Sequence, residues 1–187
     1  MPIHLLSSVN PPIYVINKLH KIFSMFYWSN SGNGRVRHWA LWNNLCLPKS
    51  EGAIGFRSLH DVSKALFSKL WWNYRTKDSL WSTFMRNKYC KKINEVLVPW
   101  RQVSHVWRKM LKMRDEVEHQ VWWKLKNGNS YFWCDNWTGL GALYHTSGPD
   151  HWCDDSMKYV DEVVENRAWN EMLLRELLPD ELADHIL

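Results

Sequence analysis

Fourteen tryptophans are spread along 187 residues, and that density constrains the fold more than any other feature. Each indole buries a large apolar surface and carries one N–H that needs a partner. A few packed aromatic clusters can therefore hold together a chain with little regular sheet. The hydrophobic fraction, 45%, is far above that of disordered segments, so the chain folds. Its length supports one domain with a real core or two small subdomains.

Apolar periodicity predicts mostly helices. After Asn10-Pro11-Pro12, residues Val15, Ile16, Leu19, Ile22, Phe23 and Phe26 recur at helical spacing, with Lys18 and Lys21 on the other face. Breakers from Ser29 to Gly34 end that helix, and Gly52 and Gly55 mark tight turns. Ser58-Leu59-His60-Asp61 reads as a capping box opening a helix with Val62, Ala65, Leu66 and Leu70 inward. Ser79 opens a second, with Leu80, Trp81, Phe84 and Met85 inward, and Ser104 a third, with Val106, Trp107, Met110 and Leu111 inward. Alternation then replaces helical spacing. Val121, Trp123 and Leu125, the Asn127-Gly128 turn, and Tyr131 with Trp133 predict a β-hairpin around 121–134. Helices are expected after Ser156 (Val160, Val163, Val164), after Asn166 (Trp169, Met172, Leu173, Leu177) and beyond Pro179 (Leu182, Ile186). The expected fold is mainly α, with helical bundle-like segments and one β-hairpin. Four regions are expected: 1–34, ending a thumb-like helix; 35–118, Trp-rich and basic; 119–138, the hairpin; and 139–187, an acidic helical tail that stops as a truncation would.

Charge is unevenly placed. Arg86, Lys88, Lys91, Lys92, Arg101, Arg108, Lys109, Lys112 and Arg114 form a basic run broken only by Glu95, whereas acids dominate from Asp150 onward. A basic middle beside an acidic end fits a surface that meets a polyanion, although ordinary solvated helix faces show the same run. No run approaches the ~20 apolar residues of a membrane span, and Met1 to Pro12 lacks the features of a secretory signal. Cys46, Cys90, Cys134 and Cys153 form no CxxC pair and fit a reducing compartment; Cys46 and Cys90 read as buried hydrophobes. A nuclear or cytoplasmic protein, neither secreted nor membrane-bound, is expected. Asn136-Trp137-Thr138 is a glycosylation sequon that is incidental without a signal.

Four ordered blocks carry a family resemblance. Ile16-Asn17-Lys18-Leu19 precedes Phe26-Tyr27-Trp28; Arg37-His38-Trp39-Ala40-Leu41-Trp42 leads through Leu45-Cys46-Leu47-Pro48-Lys49 to Glu51-Gly52-Ala53-Ile54-Gly55-Phe56-Arg57-Ser58-Leu59. Lys64-Ala65-Leu66 with Lys69-Leu70-Trp71-Trp72 is the third, and Asn127-Gly128-Asn129-Ser130 with Trp133, Asp135, Asn136 and Trp137 the fourth. Together they resemble the segment after the polymerase palm in plant LINE-type (non-LTR) retrotransposon reverse transcriptases. Ala53 stands where that family usually has glycine. The resemblance implies a polyprotein in which a palm with its catalytic carboxylates precedes this segment, and zinc-binding and RNase H regions follow it.

Polymerase chemistry needs carboxylates that hold two metal ions. Trp152-Cys153-Asp154-Asp155 matches the aromatic-x-Asp-Asp string, yet it follows Gly148-Pro149-Asp150-His151 and has no strand-borne acid upstream. It reads as a loop leading into a helix N-terminus. His145, His151, Cys153 and Cys134 lack the close ligand pairs of a structural zinc module. Neither a nucleophile motif nor a phosphate loop is present. The expectation is therefore a non-enzyme with no cofactor and no metal, at most contacting RNA or DNA through backbone phosphates. Lys88, Lys91, Lys92, Arg101, Arg108, Lys109, Lys112, Lys124 and Lys126 are the expected contacts. Trp71, Trp72, Trp122 and Trp123 are candidates for stacking on bases but read first as core. A stand-alone basic, Trp-rich nucleic-acid-binding module and an expressed remnant with no biochemical role are the alternatives.

Overall fold

The computed structural model describes residues 3, 5–29, 38–91, 93–99, 104–126, 129–146 and 158–187. Along them run α1 (Leu5–Ser8), α2 (Ile13–Trp28), α3 (Trp42–Leu45), α4 (Leu59–Thr76), α5 (Leu80–Tyr89), α6 (His105–Glu118), α7 (Leu143–Thr146), β1 (Val164–Glu165), β2 (Ala168–Trp169), α8 (Glu171–Leu177) and α9 (Asp180–Ile186). The fold is mainly helical with one two-stranded antiparallel hairpin. Two compact units divide the chain: Met1–Thr76 with Gln102–Met113, and Lys77–Arg101 with Arg114–Leu187. Among the described residues no helix is long and apolar enough to cross a membrane.

In the first unit, α2 starts directly after Pro12, whose fixed φ suits a helix entry. It buries Ile16, His20 and Ser24, a four-residue stripe, while Leu19 and Phe23 pack against Leu6, Ile16 and Leu59. Ile22 and Phe26, expected inward, are exposed, Phe26 by 82%. They lie about 120–160° round the helix from the stripe. Helix α4 buries Leu59, Ser63, Phe67, Trp71 and Tyr74. Val62, Leu66 and Leu70 are only half-buried and Ala65 is exposed. The larger aromatics set the rotation, because Phe67, Trp71 and Tyr74 remove far more apolar surface from water than the aliphatic stripe would. Trp107 of α6 completes the cluster, its ring centroid 5.4 Å from Tyr74 and 6.4 Å from Trp71. Met110, Leu111 and Met113 are buried beside it. A second aromatic layer stacks Trp42 on Phe56 at 5.4 Å, with Tyr27 edge-on to Phe56 at 5.0 Å. Gly52 sits at φ 83° just past a 3-10 turn, a left-handed position that favours glycine.

The second unit is built around Val96, Phe132, Trp133, Cys134, Trp137, Leu143, Val160, Val163, Leu174 and Leu178. Helix α5 enters through a capping box: Ser79 Oγ accepts from the Ser82 amide, and Ser82 Oγ accepts from the Ser79 amide. That knot buries Ser82, and with it Met85 one turn on. Leu80 is consequently 94% exposed and Phe84 58%, against expectation, whereas Met85 lies inward as expected. Trp81 also lies largely at the surface.

The hairpin sits at 164–169, with Val164 paired to Trp169 and Glu165 to Ala168, and not at 121–134. Residues 121–125 form neither helix nor strand, and the Trp123 amide donates to the Asn136 carbonyl at 2.8 Å. Tyr131 forms an isolated bridge with Tyr159 and belongs to no strand. Tight turns through 132–137 seat Phe132, Trp133 and Trp137 in the core, and this burial outweighs a strand ladder. The predicted Asn127-Gly128 turn lies outside the described residues. The observed turn uses Asn166 and Arg167, at φ 51° and 66°, the geometry of a tight hairpin turn that matches strand twist. It replaces the helix expected after Ser156 and delays the one expected after Asn166: Val160–Val163 is a 3-10 turn, Val164 starts β1 and Trp169 lies on β2. Helix α8 starts only at Glu171, where the Asn170 side chain caps the Leu173 amide. It leaves Met172 exposed and buries Leu174. Pro179 separates α8 from α9 as expected.

Candidate nucleic-acid interface

The expected phosphate contacts fall into three groups. On α6, Arg108 and Lys112 are exposed one turn apart, opposite the buried Trp107, Met110 and Leu111, while Lys109 is half-buried on the flank. These belong to the first unit. In the second unit, Lys88 is exposed in the last turn of α5 and Lys91 follows the helix end. The Lys88 ammonium lies 5.6 Å from the Phe84 ring centroid and 5.2 Å from that of Tyr89, and a cation at a helix C-terminus is favoured by the backbone dipole. Lys124 and Lys126 are exposed on the irregular segment after α6. Lys92 and Arg101 lie outside the described residues.

The tryptophans separate by exposure. Adjacent residues on a helix point about 100° apart, so Trp71 is fully buried while its neighbour Trp72 is exposed. Along residues 121–126 burial alternates with period two. Val121, Trp123 and Leu125 are half-buried, whereas Trp122, Lys124 and Lys126 are exposed. Trp122 is 71% exposed, yet its indole N–H donates to the Trp137 carbonyl at 3.0 Å. The loop it holds is itself braced. Asn136 Oδ1 accepts from the amides of both Gly139 and Gly141 at 3.0 Å, and Asp135 Oδ2 accepts from the Tyr131 amide at 2.8 Å. Both side chains are buried and their polar atoms act within the fold.

Some of the arginines have structural work: Arg86 Nη1 donates to Asp78 Oδ1 at 3.0 Å. Arg114, within the basic run, donates from Nη1 to the Val98 carbonyl at 2.8 Å and pairs with Asp115. Arg175 bonds Glu171 at 3.0 Å and Asp184 at 2.8 Å and lies 3.8 Å from Asp180, so the acidic tail is partly neutralised from within. Hydrogen bonds to Glu171 and Asp184 raise the guanidinium pKa further.

Sequence reading missed a buried histidine. His20 Nε2 accepts a 2.9 Å hydrogen bond from the Leu59 amide at the first residue of α4. Its ring stands edge-on to His60 at 5.3 Å, and His60 Nε2 lies 3.0 Å from Asn17 Oδ1. Burial pushes the His20 pKa below the usual 6.5, the His60 charge adds to the fall, and Asp61 opposes it. The four-residue spacing of Ile16, His20 and Ser24 was the available signal. Cys46 and Cys90 are half-buried rather than buried, and Cys134 is buried; none of the three is in a disulfide. Burial, then the nearby Asp61 charge, raises the Cys46 thiol pKa. Among the described residues no three His, Cys, Asp or Glu side chains converge on a metal-sized site. Trp152-Cys153-Asp154-Asp155 and His151 lie outside the described residues, as does the His145 side chain.

The chain is 29% identical over 179 residues to a protein of Arabidopsis thaliana whose provisional name describes it as a ribonuclease H protein. The alignment covers 91% of this chain and 28% of that protein. No family model matches the chain, and no solved structure matches it significantly. The match corrects one expectation. A non-enzyme was expected because palm carboxylates are missing from the sequence, but the relative carries an enzyme's name. Missing polymerase motifs speak only to one chemistry.

Proposed function

We propose that this chain is a nucleic-acid-gripping segment of a retrotransposon-derived enzyme polyprotein of the reverse transcriptase and ribonuclease H type. The alignment of nearly the whole chain with part of a protein named for ribonuclease H carries the reading. The four sequence blocks that resemble the post-palm segment of LINE-type reverse transcriptases support it. In such a protein the segment lies beside a template-primer or hybrid duplex, in the nucleus or cytoplasm. Arg108 and Lys112, exposed one turn apart on α6, sit about 6 Å apart along the helix. They neutralise phosphates without reading sequence, and released counterions supply the driving force. Lys88, Lys91, Lys124 and Lys126 add exposed cations in the second unit.

The test is binding of a fluorescent RNA–DNA hybrid to the full chain across a salt series. Affinity is expected to fall linearly on a log–log plot, and Arg108→Gln with Lys112→Gln to reduce the slope by about 2. No binding at low salt, or binding indifferent to salt, overturns the reading.

A further inference from the structure

We infer that Trp122, Lys124 and Lys126 form a docking rail for single-stranded nucleic acid, with Trp122 as the base-stacking platform and the two lysines as phosphate contacts. The inference rests on the nucleic-acid reading above and adds to it a strand type and a location. Trp122, Lys124 and Lys126 are all exposed within one six-residue segment, while Val121, Trp123 and Leu125 between them are half-buried and Trp123 and Leu125 pack against the core. Neither lysine is held in an ion pair among the described residues.

Trp122 is not a loosely placed surface ring. Its N–H is fixed to the Trp137 carbonyl at 3.0 Å, the next residue's amide is fixed to the Asn136 carbonyl at 2.8 Å, and Asn136 is locked by two glycine amides. The indole edge is therefore satisfied and the face left open. A base stacks on such a face whatever its identity, and cations spaced along the same line follow the backbone. A protein partner would find an apolar ring flanked by two unneutralised ammonium groups. A polyanion with exposed π-faces complements all three side chains. A duplex keeps its bases stacked on one another and offers Trp122 nothing to stack on.

The experiment measures anisotropy of labelled oligothymidylate of about 12 nucleotides with the full chain, beside a labelled RNA–DNA hybrid. Trp122→Ala is expected to weaken single-strand binding about ten-fold or more and to leave hybrid binding nearly unchanged. Trp122→Phe, which keeps a stacking face, is expected to retain most of the affinity. Lys124→Gln with Lys126→Gln is expected to lower the single-strand salt slope by about 1.4. All these positions are exposed, and far-UV circular dichroism of each variant confirms the fold. Equal loss of hybrid and single-strand binding in Trp122→Ala overturns the rail. So does single-strand binding that survives Trp122→Ala but is lost in Arg108→Gln with Lys112→Gln, a result that leaves the broader reading standing. Failure of the unaltered chain to bind either probe at low salt overturns both.

Discussion

Replacing His20 tests how the first unit is held together and how its stability follows pH. His20 Nε2 accepts the Leu59 amide, one of the four N–H groups that the start of α4 cannot satisfy within the helix. His20→Ala leaves that amide buried without a partner, a loss of about 1–3 kcal/mol, and removes the ring contact with His60. A destabilisation of about 2 kcal/mol corresponds to a fall in Tm of roughly 4–8 °C. The acceptor must be an unprotonated nitrogen, so the folded chain favours neutral His20, in line with its lowered pKa. The unfolded chain binds the proton more readily. The stabilisation is therefore complete above about pH 6.5 and is lost as pH falls from there toward the lower folded pKa, at a slope of at most ~1.4 kcal/mol per pH unit. His20→Gln places an amide oxygen near the Nε2 position and does not titrate. Denaturant melts of the native, Ala and Gln chains between pH 5 and 8 provide the measurement. The Gln variant should recover much of the loss at pH 7.5 and show a shallower fall on acidification. A Gln variant with the same acid sensitivity as the native chain refutes the assignment of that sensitivity to His20.

Three further substitutions probe the fold. Trp107→Ala empties the centre of the Trp71–Tyr74–Trp107 cluster, all fully buried, and should cost about 3–5 kcal/mol by urea denaturation. Asn136→Ala strips the Gly139 and Gly141 amides of their shared acceptor and should destabilise by about 2–4 kcal/mol in the same assay. Arg167→Gly relieves a left-handed residue at φ 66° in the hairpin turn and should stabilise by about 0.5–1 kcal/mol, seen as a raised Tm. A neutral or lowered Tm contradicts the strain argument.

The helices were legible where local chemistry alone set them. The Pro11-Pro12 entry to α2, the Ser79 and Ser104 caps, and the break at Pro179 each act through neighbouring backbone. Rotation of those helices was less legible, because it depends on competition between faces. Phe67, Trp71 and Tyr74 outcompeted Val62 and Leu66 on α4, and the buried Ser82 knot turned Leu80 outward on α5. The hairpin was readable as a type but misplaced. Alternation at 121–125 was real, yet its hydrogen bonds go to the 136–137 loop. Asn166-Arg167 does not advertise a tight turn as Asn-Gly does. Of the site, the basic residues were legible from charge. The open face of Trp122 was not, since exposure of one indole among fourteen is a tertiary outcome.

The braced Asn136 has a bearing on covalent modification. Its amide sits 4% exposed with the oxygen bonded to two backbone N–H groups, although Asn136-Trp137-Thr138 spells an acceptor sequence for an N-linked sugar. An oligosaccharide there and the closed 136–141 turn exclude each other. Should this polypeptide ever meet the oligosaccharide-transferring machinery, only a chain that has not yet folded can be a substrate, and a glycosylated one is barred from completing its second unit.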